Sequence, residues 1–284
     1  NGVVAQGVSQ TDQSVTRAVA ENLARHTTSV CRMADVARCD VAPVDIGMAG
    51  EKVRGVLDRR IADGTADFTR GPAMTRAQTI DAIAVGMQLV GEWKEKGFSL
   101  LATGEMGIGN TTTSSAVAAA LLDQPVERMT GRGAGLSDAG LARKIDAIKR
   151  GLAVNRPDVR DPLDVLTKLG GLDIAGLCGV FLGGALHGVP IVMDGFISGV
   201  AALCAVRLCP NAGKAVFASH ASSEPAAQLV LEALGKRPLL TADMHLGEGT
   251  GAVASIPLWN MALAVYQGCY SFAKGGIAPY TPQC

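Results

Sequence analysis

Residues 98–122, FSLLATGEMGIGNTTTSSAVAAALL, decide the fold. An apolar run ends in a glycine-rich loop, and a run of small residues with helical character follows at once. A short apolar run bounded by glycine is typical of a buried strand. The segment therefore predicts a buried strand, a tight loop and a helix with a small-residue face.

The same order recurs further along the chain. The stretches PIVMDGF (190–196), KAVFASH (214–220) and RPLLTADMHLGEG (237–249) each predict a strand that runs into a loop, with a helix after it. We expect Ser222 or Ser223 to cap the third of the four helices. Strand, polar loop and helix in repetition predict an α/β fold, a parallel sheet with helices on both faces.

Other segments depart from this repeat. Upstream, Thr75 opens a further helix with the capping box that Gln78 completes. Residues 50–75 are charged and contain several glycines, so they predict an excursion over the protein surface. Residues 273–284 predict an irregular, loosely packed C-terminal segment.

The loops that follow the predicted strands should hold the functional residues. Ligands of parallel sheets bind beyond the carboxyl ends of the strands. The sequences of these loops are GEMGIGN, MDGF, ASHASSE and HLGEG. We expect all four to converge on one crevice.

Composition excludes several classes of function. The chain has 284 residues, and its 26 basic and 26 acidic side chains leave no basic surplus for nucleic acid or a membrane surface. There is no apolar run of about 18 residues, so no membrane span is predicted. The seven cysteines include no CxxC pair and indicate a reducing, cytoplasmic location. They are Cys31, Cys39, Cys178, Cys204, Cys209, Cys269 and Cys284.

The glycine loop at 104–110 raises a chemical question. Free N–H groups at a helix start make a natural anion site. The loop has no lysine, so it is not a Walker loop, and Thr112 stands where a dinucleotide fingerprint needs a third glycine. Glu105 would repel a phosphate there, unless it serves a sugar or a reacting proton. A tight turn that binds nothing is the alternative.

Two further stretches carry candidate groups. In TGRGAGLSDAGLARK (130–144), Arg132 and Lys144 could neutralise a phosphate from outside the first loop, or form a solvated basic pair. In HLGEGTGA (245–252), Glu248 lies between two glycines and could act as a general base, or be an exposed loop residue. The four histidines share no ligand spacing, so we expect no metal site.

Several motifs in order carry a resemblance to a known family. GEMGIGNTTTSSA, GRGAGL, MDGFISGVAAL, SHASSEPA and LGEGTGA occur here in sequence. The chain resembles the nicotinate-nucleotide:dimethylbenzimidazole phosphoribosyltransferases over essentially its whole length. Asn1-Gly2 is similar to the end of an internal motif of that family, so we expect an N-terminal portion of the family to be absent from these residues.

The resemblance implies a fold and a reaction. It implies a three-layer, Rossmann-like parallel sheet with a smaller helical domain, and a homodimer, with a paralogue heterodimer left open. Residues 1–284 would form essentially one α/β catalytic domain, and the chain ends would contribute to a small helical subdomain. The enzyme would transfer phosphoribose from nicotinate mononucleotide to a benzimidazole-type base without a cofactor.

The resemblance also implies roles for individual residues. Glu248 would be the general base. The ribose-phosphate site would be lined by Glu105, Gly107, Gly109, Asn110 and Thr111, and further nucleotide contacts would come from Lys144, Gly195 and Ser222. In much of the family a proline follows the early GVS, whereas this chain reads GVSQTDQSVT. That departure leaves the acceptor open among benzimidazole, phenolic and purine bases.

The residues themselves are compatible with this chemistry. Nicotinate leaves as a neutral pyridine, so no metal is needed, and carboxylates would stabilise the cationic sugar carbon. An attacking imidazole becomes acidic enough to lose a proton to a carboxylate. Two other classes stay open at this point: a non-catalytic or regulatory paralogue subunit, and a nucleotide-binding module without transfer activity.

Overall fold

The structure is a computed structural model that describes residues 1–278 and 280–283. Cys284 therefore lies outside the described residues. The helices are α1 (Ser14–Ala24), α2 (Ser29–Ala37), α3 (Arg76–Glu95), α4 (Asn110–Leu122), α5 (Val126–Met129), α6 (Asp138–Asn155), α7 (Pro162–Leu169), α8 (Leu172–His187), α9 (Phe196–Leu208), α10 (Ala227–Leu234) and α11 (Thr250–Gly268). Two 3₁₀ helices span Gly2–Gln6 and Pro210–Lys214.

Two small parallel sheets organise the chain. The strands are β1 (Val44–Asp45), β2 (Leu57–Asp58), β3 (Leu101–Ala102), β4 (Ile191–Met193) and β5 (Val216–Ala218). β1 pairs with β2, and the larger sheet has the order β3-β4-β5. All its pairs are parallel, with Ile191 opposite both Leu101 and Val216. The predicted parallel α/β sheet is confirmed.

Helices cover both faces of the larger sheet. Ile191 packs against α8, since a Cβ on Gly184 of that helix would lie 2.5 Å from Cγ1 of Ile191. Side chains alternate along a strand, so Val192 and its neighbour Phe217 point to the opposite face. There Phe217 meets Trp259 of α11 edge to face, with ring centroids 5.5 Å apart. The sheet thus lies between α8 and α11.

The fourth predicted strand, within residues 237–249, is wrong. Only a single parallel bridge joins His220 to Leu240. Pro238 has no N–H to donate, and Asp243 adopts a left-handed conformation with φ of 48°. Between these two residues, Leu239 and Leu240 donate hydrogen bonds to the carbonyl oxygen of Ser219.

The predicted serine cap of α10 is also wrong. The helix begins at Ala227, and the hydroxyl of Ser222 instead accepts a bond from the N–H of Glu224 at 3.4 Å. Pro225 disfavours helical backbone at the residue before it, so the helix cannot extend back to the serines. The predicted capping box of α3, formed by Thr75 and Gln78, is confirmed. Ser137 caps α6.

Glycine lets α3 and α8 pack almost backbone to backbone. A Cβ on Gly86 would lie 2.0 Å from the carbonyl oxygen of Gly176, and one on Gly179 would lie 2.0 Å from that of Ile83. Such close contacts explain the high glycine content and the low aromatic content. They join both helices to the main apolar core around the sheet.

A second, smaller apolar cluster joins the two ends of the chain. Val30, Cys31 and Ala34 of α2 pack against Val253 and Ile256 of α11. This contact brings early and late helices together. A division into a catalytic domain and a helical subdomain stays a prediction.

The excursion predicted for residues 50–75 is only partly superficial. The segment contains β2, and Phe68 is 1% exposed. The ring of Phe68 fills the space that a side chain at Gly151 would need, 2.2 Å from the Cβ position. The segment therefore contributes to the core. None of the described helices is long and apolar enough to cross a membrane.

Candidate active site

Two glycine loops touch through their backbones beyond the sheet. A Cβ on Gly104 would lie 2.4 Å from the carbonyl oxygen of Glu248, and one on Gly249 would lie 3.0 Å from that of Thr103. The N–H of Glu248 also donates to the carbonyl oxygen of Glu105 at 3.3 Å. Only glycine permits this approach, and it fixes the two glutamates beside each other.

Glu248 has an unusual backbone conformation. Its φ is +62°, between Gly247 at 85° and Gly249 at 91°. A left-handed conformation strains a residue with a side chain, and such strain concentrates at functional sites. The Oε2 atom of Glu248 accepts a bond from the N–H of Val30 at 3.5 Å. The carboxylate therefore meets the positive end of α2.

Glu105 lies in a strongly acidic, buried setting. Burial, together with the negative charges of Asp173, Asp194 and Glu248, raises the pKa of Glu105 to about 8, although a hydrogen bond from Asn110 opposes the shift. The amide nitrogen of Asn110 donates to Oε2 of Glu105 and, at 3.1 Å, to Oδ2 of Asp173. At neutral pH Glu105 is mainly protonated.

Asp194 ties the ends of two strands to α11. It follows β4, and its Oδ1 accepts a bond from the N–H of Ala252 at 2.9 Å. His220, which follows β5, has its Nδ1 3.9 Å from the same oxygen. Burial raises the pKa of Asp194 and lowers that of His220. Both groups are therefore biased toward their neutral forms, which limits the charge at this edge of the sheet.

A large cavity opens beside these groups. Its volume is about 640 Å³, and Glu105, Glu248 and Asp173 are among the residues that line it. Apolar side chains, among them Leu89 and Trp93 of α3, line the same cavity. The expectation that four loops share one crevice is therefore only partly confirmed: GEMGIGN and HLGEG bring both glutamates to this cavity, whereas MDGF and ASHASSE do not line it. A pocket with a few convergent polar groups and an apolar wall suits a flat organic ligand.

The predicted phosphate nest lies at the start of α4. Gly107 lines the cavity, whereas Gly109, with φ of 89°, lies under the first 3₁₀ helix, where a Cβ would be 2.8 Å from Val4. Two N–H groups of the nest already have partners: Ile108 donates to the hydroxyl of Thr16 at 3.1 Å, and Asn110 to the carbonyl oxygen of Gly107 at 2.9 Å.

Lys144 is buried, so the alternative of a solvated basic pair is wrong for this residue. It is 0% exposed, and its Nζ donates to Oγ1 of Thr111 at 2.9 Å and to the carbonyl oxygen of Gly131 at 3.0 Å. Burial lowers the pKa of Lys144 to about 8, while the charge of Glu224 opposes that shift. The ammonium group lies directly behind the first turn of α4. Arg132, the other basic candidate, pairs with Asp138.

Gly195 and Ser222 form a third group. A Cβ on Gly195 would lie 3.4 Å from that of Ser222 and 3.2 Å from Nε2 of His220. Both residues line a small recess separate from the large cavity. The predicted site residues thus fall into three groups at the carboxyl end of the sheet: the acidic cavity, the start of α4 with Lys144, and this recess.

Three groups around the two glutamates were not predicted from the sequence. Asp194 stands in MDGF, where its place at a strand end was a usable signal. Asp173 lies in the first turn of α8, just after a pair of glycines. The N–H of Val30 carries no sequence signal, because any residue supplies it. His245 is exposed and bonds to the carbonyl oxygen of Asp243 at 2.8 Å, as a bystander would.

No group of three or more His, Cys, Asp or Glu side chains within residues 1–278 and 280–283 is arranged to hold a metal ion. The six described cysteines are free thiols: Cys31, Cys39, Cys178, Cys204, Cys209 and Cys269.

Comparisons with known proteins agree with one another. A family model described as phosphoribosyltransferase matches residues 1–277. The nicotinate-nucleotide–dimethylbenzimidazole phosphoribosyltransferase of Acetivibrio thermocellus is 46% identical over 284 residues, which are 100% of this chain and 81% of that protein. The protein of the same name from Ruminiclostridium cellulolyticum is 44% identical over 283 residues, which cover 99% and 80%.

Solved structures are similar over the same extent. A crystal structure of CobT from Thermus thermophilus superposes with a TM-score of 0.93 at 40% identity, covering 98% of this chain and 84% of that one.

Proposed function

The chain belongs to the nicotinate-nucleotide–dimethylbenzimidazole phosphoribosyltransferase family, and on that premise we propose that it transfers phosphoribose from nicotinate mononucleotide to a benzimidazole-type base. The products are α-ribazole 5′-phosphate and nicotinate. One observation carries the proposal. Glu105 and Glu248 are held together by backbone contact in the lining of one cavity, whose wall also carries apolar side chains.

Glu248 is the proposed general base. One imidazole nitrogen of the acceptor attacks the sugar C1′ as the bond from C1′ to the pyridinium nitrogen breaks, and nicotinate leaves with that electron pair. The acceptor then carries a positive charge, and Glu248 takes the proton from its other nitrogen. The bond from Val30 holds one carboxylate oxygen, which leaves the other oxygen for the acceptor.

The proposed role of Glu105 follows from its protonation. A charged carboxylate beside a phosphate nest would repel the donor, but Glu105 is mainly neutral at pH 7 because its pKa is about 8. A neutral carboxyl group can donate a hydrogen bond to a ribose hydroxyl. Asn110 fixes the orientation of that group through its amide. This answers the question that the glycine loop raised.

The phosphate is proposed to lie over the start of α4. The hydroxyl of Thr111 and the positive end of the helix face this position, with Lys144 behind them. Gly195 and Ser222 would close the site from the recess. Gly107 would let the donor approach the backbone closely, and Gly109 lets the nest pack under the first 3₁₀ helix.

A second copy of this chain is the proposed partner. The α11 segment Thr250–Gly268 carries no charged residue, and its later part exposes large apolar side chains. These include Met261, Leu263, Val265 and Tyr266. A charge-free apolar helix face of this kind marks an association surface. Light scattering should give a dimer mass, and Met261→Glu should give a monomer; a monomeric wild-type chain would contradict a homodimer.

The reaction is tested by incubating the purified chain with nicotinate mononucleotide, with and without 5,6-dimethylbenzimidazole. We expect nicotinate to appear, by chromatography, only when the base is present. Binding of the nucleotide without nicotinate release would favour a binding module, and no binding would favour a regulatory subunit. Phenol and adenine in place of the benzimidazole will define the acceptor class. A cytoplasmic location stays a prediction.

A further inference from the structure

Glu224 is a carboxylate that the proposed reaction leaves unused. It lies in the loop between β5 and α10. Its Oε2 atom is buried and has no hydrogen-bond partner among the described residues. A Cβ on Gly131 would lie 1.9 Å from that oxygen, so the carboxylate packs directly on the main chain there. A buried carboxylate oxygen without a partner is costly and calls for an explanation.

The same main-chain segment holds Lys144. The carbonyl oxygen of Gly131 accepts one bond from Nζ at 3.0 Å, and Thr111 accepts a second at 2.9 Å. An ammonium group has three N–H donors. Gly133 packs closely against both groups, since a Cβ there would be 2.9 Å from Oγ1 of Thr111 and 3.6 Å from Nζ. Glu224 and Lys144 therefore both contact the main chain at Gly131.

The other charged groups around Lys144 are directed elsewhere. On the glycine loop, Arg132 bonds to the carbonyl oxygen of Leu136 and to Asp138. On its own helix α6, Arg143 bonds to the carbonyl oxygen of Gly7. From α4, Lys144 meets the neutral Thr111. Glu224 is the group whose charge acts on Lys144.

We propose that Glu224 is a positioning residue that keeps Lys144 an ammonium ion, ready for the phosphate of the donor. The inference rests on the proposed function, since it gives Lys144 a phosphate to attract. Glu224 itself touches neither the donor nor the acceptor. It acts on Lys144 through space, from its contact with the main chain at Gly131.

The direction of the effect follows from the environment of the lysine. Burial lowers the pKa of Lys144 to about 8, and Glu224 opposes that fall. Removing the negative charge lets the pKa fall further, so Lys144 loses its proton at a lower pH. A lysine that is charged in acid and neutral in base attracts the donor less as pH rises. The defect of a Glu224 variant must therefore grow with pH.

The test compares Glu224→Gln with the wild-type chain between pH 6 and pH 9. At each pH the KM for nicotinate mononucleotide is expressed relative to wild type, which cancels the titration of the donor's own phosphate. We expect a ratio near one at pH 6 that rises to about tenfold at pH 8 to 9. Each unit by which the pKa of Lys144 falls lowers its charged fraction up to tenfold in that range. The kcat should change little, and Glu224→Asp should restore the wild-type profile.

Controls separate this role from a structural one. Glu232→Gln, on the exposed side of α10, should match wild type at every pH. Titration calorimetry of the nucleotide without acceptor should reproduce the same pH-dependent ratio in its Kd. A ratio that stays at one, or a defect that is equal at all pH values, would overturn the proposal. Nicotinate release by wild type shows independently whether the proposed reaction stands.

Discussion

Replacing Glu105 by glutamine should make the folded state more stable than that of wild type at alkaline pH. The folded state raises the pKa of this carboxyl from its usual 4.5 to about 8. Between these two values the folded chain binds a proton that the unfolded chain has lost, so wild-type stability falls as pH rises through this window. At 1.36 kcal/mol for each pH unit, the full effect is about 5 kcal/mol above pH 8. Glutamine is neutral throughout and escapes this loss.

Urea unfolding of the two proteins at pH 4.5 and pH 9 measures the effect. The difference in unfolding free energy between Glu105→Gln and wild type should increase by roughly 2 to 5 kcal/mol from the lower to the higher pH. Glutamine can still accept the bond that Asn110 donates, so the variant keeps its local geometry. Equal pH dependence of the two proteins would refute the claim that a buried, acidic setting keeps Glu105 protonated.

Three further substitutions probe the loops and the helix start. Gly109→Val should raise the KM for nicotinate mononucleotide sharply, because a side chain there would clash with Val4 and displace the nest at the start of α4; steady-state kinetics that leave KM unchanged would place the phosphate elsewhere. Gly104→Ala should lower kcat by about 10²-fold, because a methyl group 2.4 Å from the carbonyl oxygen of Glu248 displaces that loop, and a normal kcat would contradict the contact. Thr75→Ala should cost about 1 kcal/mol in urea unfolding through loss of the capping box, without a change in kcat.

Local sequence predicted the elements whose signals are themselves local. The capping box at Thr75, the strand at 101–102 and the helix that follows GIGN need no information from distant residues. The strand expected near Leu239 failed because pairing depends on the partner edge, and only one residue pair formed there. The cap expected at Ser222 or Ser223 failed because Pro225 disfavours helical backbone at Glu224, so the first helical turn does not follow the serines directly.

The site was predicted only in part, because only some of its signals are local in the sequence. Glycines on both sides of Glu248 signalled a close backbone approach, and the structure shows what they approach, namely Gly104. The burial of Lys144 depends on how α6 packs behind α4, which no local pattern contains. The contact of Glu248 with Val30 joins residues 218 positions apart through a backbone N–H. Contacts of this kind become visible only in the folded chain.

The turnover of Glu248→Gln tests the central claim most directly. Glutamine keeps the size of the side chain and can still accept the bond from Val30, so circular dichroism and the donor's Kd should match wild type. Nicotinate release with 5,6-dimethylbenzimidazole should fall by roughly 10²- to 10⁴-fold, the usual range for a positioned proton acceptor. Turnover close to that of wild type in a folded variant would contradict the role of Glu248 as the base.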